Sequence, residues 1–312
     1  MSRSLLILLG VLVVLLIVYL IVNSARDVTY QPEAFLKIDT TEVSGFSITN
    51  EHGTIKLRKS GGIWRLAEPV DYPAEARFVD DLMKKIGAME IETMISRDPE
   101  KASMFEVDTA GVEVAVLAGA DTLGQFIVGK MSDNYSNTYC RKIGEDTIYL
   151  IRGTFTGQLK RQAKDWRDKV ILEMDKALIS RLDFQYPRET FSLAKHDTVW
   201  ALEFKGKEVP AMDKMVDRTL SVISRFRAYD FVDGDSAKMV DFSVPELALT
   251  ISTEAGDQYR LAFVPQDVEE NRYLVRKSGV ENTLFVIYKG SANSIMKHAE
   301  DFEMKEEEKE KA

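Results

Sequence analysis

The chain has 312 residues, of which 45% are hydrophobic and 29% charged, with a formal net charge of −9. Such a length exceeds a typical single domain and the composition is that of globular protein, while the acidic balance excludes nonspecific attraction to nucleic-acid phosphates. A single cysteine, Cys140, excludes an intrachain disulfide.

Leu5 to Val22 carries no charge, and only Gly10 and Tyr19 interrupt its large aliphatic residues. With its flanks the run reaches the roughly 20 residues that cross a bilayer core. It predicts a retained single transmembrane helix within residues 1–25, with residues 5–22 in the membrane. The rival reading is a cleaved signal with Val22-Asn23-Ser24 as its processing site, but the apolar cores of cleaved signals usually run to about 7–15 residues. Arg3 and the amino terminus place the short end in the cytoplasm and the long remainder outside. A linker follows over residues 26–40 and contains Pro32.

The next stretch is expected to hold two copies of one α+β domain, residues 41–168 and 169–302, with Trp64 and Trp200 as matching landmarks. Gly45-Phe46-Ser47-Ile48 answers to Arg181-Leu182-Asp183-Phe184, each opening a strand pair that closes on its Trp. Ala74 to Ala88, with Phe78, Val79, Leu82, Met83 and Ile86 at helical spacing, answers to Met212 to Ala228, with Met215, Val216, Leu220, Ile223 and Phe226. Phe105-Glu106-Val107 and Phe242-Ser243-Val244 follow. Then Val112 to Val116 and Leu247 to Ile251 read as strands, half-buried or buried, each with a second strand, Phe126 to Val128 or Arg260 to Val264. The closing hairpins are Tyr139 to Lys142 with Asp146 to Ile151, and Tyr273 to Lys277 with Asn282 to Tyr288, which places Tyr139 opposite Tyr273. Phe155 to Trp166 and Ala292 to Phe302 read as short terminal helices. Residues 303–312 are nearly all charged and predict a disordered tail.

Few groups suggest chemistry. His52, His196 and His298 fall in a hairpin turn, a strand-end turn and the terminal helix, without metal-ligand spacing, and no glycine-rich phosphate loop occurs. The cluster Asp230, Asp233 and Asp235 fails the calcium-loop order and reads as a solvated loop. Asp80-Asp81, Glu90 and Glu92 read as exposed acids, since adjacent helix residues point in different directions. Asn134-Tyr135-Ser136 matches the glycosylation triplet, which occurs often by chance. Cys140 reads as a buried strand residue, and Trp64 and Trp200 as packing residues rather than stacking platforms. Trp166 to Leu172 joins the copies and reads as a brace between them.

The order of an N-terminal anchor, Ile63-Trp64-Arg65-Leu66 with Pro69 and Ala74, Phe126-Ile127-Val128-Gly129-Lys130, Tyr139 to Lys142 with Asp146 to Leu150, and Trp166-Arg167-Asp168-Lys169 resembles the bacterial DUF4340 family, a domain of unknown function. The second copy resembles it more weakly, with Val264-Pro265 where the first has a Val128-Gly129 turn. The resemblance carries no catalytic residues. It implies an accessory role beside ABC-transporter permeases or proteins like the gliding-motility auxiliary component.

The fold expected is therefore α+β: an N-terminal transmembrane helix and two duplicated domains, each a mostly antiparallel sheet with one long and one short helix. The expected location is the bacterial inner membrane, single-pass, with the domains extracytoplasmic. The expected function is that of a noncatalytic accessory or scaffold protein. The alternatives are a binding module using a groove between the repeats, and a hydrolase with a site assembled from scattered residues. No catalytic, cofactor-binding or metal-binding residue is assigned.

Overall fold

The structure is a computed structural model, and residues 12–19, 33–267 and 271–304 are described. Residues 12–19 form an exposed helix, α1. Among the described residues no helix is long and apolar enough to cross a membrane. The expected span over residues 5–22 falls outside the described residues except for α1, and the charged tail does so except for Glu303 and Met304.

The chain forms mostly antiparallel sheets with several helices, and divides into two compact units, Met1–Ala163 and Lys164–Ala312. The first contains β1 (Glu33–Ala34), β2 (Gly45–Asn50), β3 (Gly53–Ser60), β4 (Ile63–Glu68), β5 (Tyr72–Pro73), α2 (Ala76–Gly87), β6 (Glu90–Ser96), β7 (Val112–Ala118), β8 (Asp121–Met131), β9 (Asn137–Lys142), β10 (Ile148–Arg152) and α3 (Thr156–Leu159). Its ten strands lie in the order β1-β6-β10-β9-β8-β7-β2-β3-β4-β5.

The second unit contains β11 (Val170–Glu173), β12 (Ile179–Gln185), β13 (Thr190–His196), β14 (Val199–Phe204), β15 (Lys207–Pro210), α4 (Asp213–Ile223), β16 (Arg225–Arg227), β17 (Asp230–Asp233), α5 (Gly234–Lys238), β18 (Leu247–Thr253), β19 (Gln258–Asp267), β20 (Arg272–Lys277), β21 (Thr283–Tyr288), α6 (Lys289–Ile295) and α7 (Ala299–Phe302). Its main sheet runs β15-β14-β13-β12-β18-β19-β20-β21-β17, with β11 and β16 paired separately. Read from the opposite edge, the first sheet has the same sequence of connections. β16 and β17 together take the place of β6: the start of β6 pairs with β1 as β16 pairs with β11, and the remainder pairs with β10 as β17 pairs with β21.

Register makes the correspondence specific. Phe46 faces Leu57 and Val116, as Leu182 faces Leu193 and Ile251. All six side chains are buried, because alternation along each strand sends every second residue to the same face. On α2, Val79, Leu82 and Ile86 repeat at helical spacing and are buried; Val216, Leu220 and Ile223 do the same on α4.

Several local expectations differ from the structure. Phe126 pairs with Lys142 and Leu261 with Lys277, so the hairpin register sets Tyr139 against Leu274 rather than Tyr273. A one-residue slip exchanges sheet faces: Tyr273 packs in the main core, while Leu274 and Tyr139 belong to small clusters apart from it. Val128-Gly129 is not a turn but lies inside β8, where pairing is irregular between Val128 and Met131. The second long helix stops at Ile223, because Arg225–Arg227 pairs with β11 and Phe226 enters the core as a strand residue. The strands carrying the two Trp residues do not close on them; each Trp is the second residue of its strand.

Each terminal helix is two short pieces, α3 with a 3-10 turn at Ala163–Trp166, and α6 with α7. Further short helices precede β7 and β18: 3-10 turns at Pro99–Lys101 and Ser103–Phe105, and α5. The expected linker also contributes to the fold, since β1 pairs with β6 and Phe35 is buried edge-on to Phe126.

Candidate functional site

The second unit carries a cavity of about 410 Å³ lined by Tyr186, Pro187, Arg188, Glu189, Glu246, Asn293, Met296 and His298. Three separate pieces of chain build it. The turn between β12 and β13 supplies Tyr186 to Glu189 and is closed by a bond from the Tyr186 amide to the Glu189 carbonyl at 2.8 Å. Glu246 stands immediately before β18, its amide bonded to the Phe263 carbonyl at 2.9 Å. The helical pair α6 and α7 supplies the rest. Main-core residues hold that pair in place, with Ile295, Ala299 and Phe302 buried and Phe302 packed against Phe184 and Phe191.

Polar groups around the cavity hold one another. The Tyr186 hydroxyl donates to the Lys297 carbonyl at 2.7 Å, and its ring stacks on the His298 imidazole with centroids 4.8 Å apart. His298 Nδ1 lies 2.6 Å from Glu189 Oε2. The imidazole also accepts from the Asp301 backbone N–H in the capping box that opens α7. The His298 amide donates to Asp301 Oδ2 at 2.9 Å at the start of α7. The Tyr273 hydroxyl donates to Glu246 Oε2 at 3.0 Å.

Burial pushes the Tyr186 phenol well above its ordinary value, and the negative charges of Glu189, Asp301 and Glu246 add to the effect. Burial and the bond to Glu246 push the Tyr273 phenol up to about 12. Both phenols are therefore neutral donors near neutral pH and not nucleophiles. The local field is negative, with Arg188 as the cation of the lining. Such a site is suited to holding a cationic group rather than to forming a covalent intermediate.

The same position in the first unit is closed differently. There the Asn50 side chain donates to the carbonyls of Leu159 and Arg161 at 2.8 and 3.0 Å, tying the hairpin turn to the terminal helix as Tyr186 does in the second unit. Register places Gly53 where the second unit has Glu189, and Gly111 where it has Glu246. The scaffold thus does not require either carboxylate.

Of the residues singled out from sequence, only His298 lines this cavity, and it begins α7 rather than lying within a helix. His52 lies in the β2–β3 turn, its amide bonded to Asn50 Oδ1 at 2.8 Å. His196 ends β13, 3.1 Å from Glu208. Cys140 is fully buried and burial pushes its thiol far up, which makes it unreactive. Trp64 is buried and stacked on Phe46 at 5.7 Å, and Trp200 lies in the main core. Asp81 pairs with Lys85 at 2.8 Å, and Glu90 and Glu92 with Arg152. Asn134 bonds Ser132 and Ser136 within its own turn.

Asp230, Asp233 and Asp235 do not form a solvated loop. Asp230–Asp233 is strand β17, with Asp230 paired to Lys164 at 2.7 Å and Asp233 accepting from the two terminal guanidinium nitrogens of Arg167 at 2.7 and 3.2 Å, while Asp235 pairs with Lys238. Arg167 also lies 3.7 Å from the Phe231 ring centroid. Trp166 and Arg167 are thus buried residues of the second unit. Among the described residues no group of three or more His, Cys, Asp or Glu side chains is placed to hold a metal ion.

The cavity was illegible in sequence because its carboxylates stand in no motif and are brought together only by strand pairing. The one signal was their departure from the first copy, Glu189 against Gly53 and Glu246 against Gly111.

Nothing among curated proteins or solved structures matches the chain. The family described as "Domain of unknown function (DUF4340)" matches residues 64–245, which run from the second residue of β4 to two residues before β18. The match spans more than half of the chain, and its start at Trp64 agrees with the landmarks that carried the resemblance. The chain belongs to the DUF4340 family.

Proposed function

We propose that this protein is a noncatalytic accessory subunit that acts by association at the bacterial inner membrane. Residues 5–22 anchor it, its amino terminus is cytoplasmic, and both units work outside the membrane. The partner proposed is an ABC-transporter permease or a protein like the gliding-motility auxiliary component. Duplication gives each unit one main sheet and one long helix, with the short helical pieces around them.

The observation that carries this reading is that the scaffold is copied while its polar surface is not. Corresponding buried positions stay apolar, Phe46 with Leu182 and Ile48 with Phe184, whereas Asn50 corresponds to Tyr186 and Gly53 to Glu189. Divergence at such polar positions is what two different sets of contacts would produce. Each unit also exposes a methionine in the connection leading to β7 or β18: Met104 is 61% exposed and Met239 is 84% exposed. An unbranched, polarisable thioether in water adapts readily to a protein partner. A tether raises the effective concentration of such a surface for a membrane-bound partner, so a weak interface suffices.

The test is recovery of partners from gently solubilised membranes. Wild type should bring down a transporter component, and the double substitution Met104→Asp/Met239→Asp should lose it while remaining folded. Alanine replacement of His52, His196 or Cys140 should leave cellular function intact. Loss of function from one of these alanines, with stability and partner recovery preserved, sinks the reading in favour of an enzyme. A mature chain that begins near Ala25 removes the anchor from it.

A further inference from the structure

We propose that the cavity of the second unit binds a small zwitterion of dipeptide size, with a free amino terminus held by Glu246 and Glu189 and an apolar side chain on the cavity wall. The volume of about 410 Å³ falls within the range of small-molecule sites, which combine apolar walls with a few placed polar groups. Pro187, Met296 and the Tyr186 ring supply apolar surface.

Two carboxylates face this surface while part of their accepting capacity is engaged. Glu189 Oε2 meets His298, and Glu246 Oε2 accepts from Tyr273. A carboxylate offers about four lone-pair sites, so each retains acceptors for an ammonium group. The bonds to His298 and Tyr273 fix the orientation of the two acids before a ligand arrives, which lowers the ordering cost of binding. Both glutamates line the cavity together with Tyr186.

Arg188 is exposed and lines the same cavity, so a dication such as a diamine meets repulsion there, whereas a ligand carrying its own carboxylate finds a partner. The glycines at the corresponding positions of the first unit, Gly53 and Gly111, set the acids apart from the needs of the fold. This inference does not rest on the accessory reading, and its failure would leave that reading in place.

The experiment is calorimetric titration of the full chain in detergent micelles with alanyl-leucine. Saturable binding is expected, weakened at least tenfold by acetylation of the dipeptide amine and at least tenfold by Glu246→Gln. The glutamine retains an oxygen for Tyr273, so the wall keeps its shape. Arg188→Gln, at an exposed position, should also weaken binding, and it carries the test if Glu246→Gln fails to fold. Asp235→Asn removes an acid that does not line the cavity and should leave affinity unchanged. Absence of binding, equal binding of the acetylated dipeptide, or equal losses from Asp235→Asn and Glu246→Gln would each overturn the proposal.

Discussion

The amide of Ala211 donates to the carbonyl of Trp200 at 2.8 Å, and the amide of Ala74 donates to the carbonyl of Trp64 at 3.0 Å. In both units this bond turns the chain from the sheet edge toward the long helix, and the ring of the same Trp is buried. The landmark therefore joins a backbone corner to the core.

Truncating either ring should be costly for its own unit. Trp64→Ala and Trp200→Ala are each expected to destabilise by about 3–5 kcal/mol, the range for large buried aromatics, whereas Phe at either position should cost less because it leaves a smaller cavity. Denaturant titration followed by circular dichroism checks this. A loss below about 1 kcal/mol for either alanine would assign the ring no packing role.

Two glycines should respond oppositely to the same methyl group. A Cβ on Gly129 would lie 2.1 Å from the Phe105 carbonyl oxygen and 2.8 Å from Val107 Cγ1, so backbone must move. Nothing lies within 4 Å of a Cβ on Gly157, which sits in α3. Gly129→Ala is expected to cost on the order of 1–3 kcal/mol or more, as overpacking does, and Gly157→Ala to be neutral or stabilising by up to about 1 kcal/mol. Thermal melts of the two variants would reverse this reading if their order were inverted.

The Arg167–Asp233 pair predicts an asymmetry. Arg167 has a side chain only 2% exposed, whereas that of Asp233 is 36% exposed. Asp233→Ala leaves a buried guanidinium without its carboxylate and should cost about 3–5 kcal/mol. Arg167→Met keeps apolar contact with Phe231 and leaves a carboxylate that reaches water, so it should cost less. Equal losses in unfolding experiments would show that burial does not set the penalty here.

Acid should weaken the second unit partly through Glu203. Bonding to Arg181 holds the Glu203 carboxyl below its ordinary value of 4.5. A folded value below the unfolded one contributes stability that is complete above the unfolded value and is lost as pH falls through the folded one. The contribution is small because the side chain is partly solvated. Glu203→Gln should therefore flatten the decline in stability below about pH 4.5 and leave the profile near neutrality unchanged in slope. An unaltered acid limb in pH-dependent melts would remove Glu203 from the titration.

Cys140 should resist alkylation in the folded protein. Its thiol is fully buried and its ionisation is pushed far up, so thiolate is scarce and shielded. Labelling at pH 8 should follow the rate of unfolding, and prompt stoichiometric labelling of native protein would contradict the burial.

Periodicity in the sequence determined the α+β class and the repeat of strands and helix, since alternation at Phe46 and Ile48, or Leu182 and Phe184, and helical spacing at Val79, Leu82 and Ile86 are local properties of the chain. Family membership was also legible, because its landmarks are short patterns in order. Tertiary structure decided what depends on distant pairing. Residue spacing alone matched Tyr139 with Tyr273, and strand pairing moved that match by one position to Leu274. The end of α4 at Ile223 was set by β11, a strand that precedes the whole β12–β15 hairpin series and takes Arg225–Arg227 as its partner. Arg167 and Asp233 stand 66 positions apart in sequence yet share two hydrogen bonds. The acid-lined cavity has the same origin: a hairpin turn, one residue before β18 and the terminal helices converge because the sheet folds the chain back between them, and no local pattern encodes that convergence.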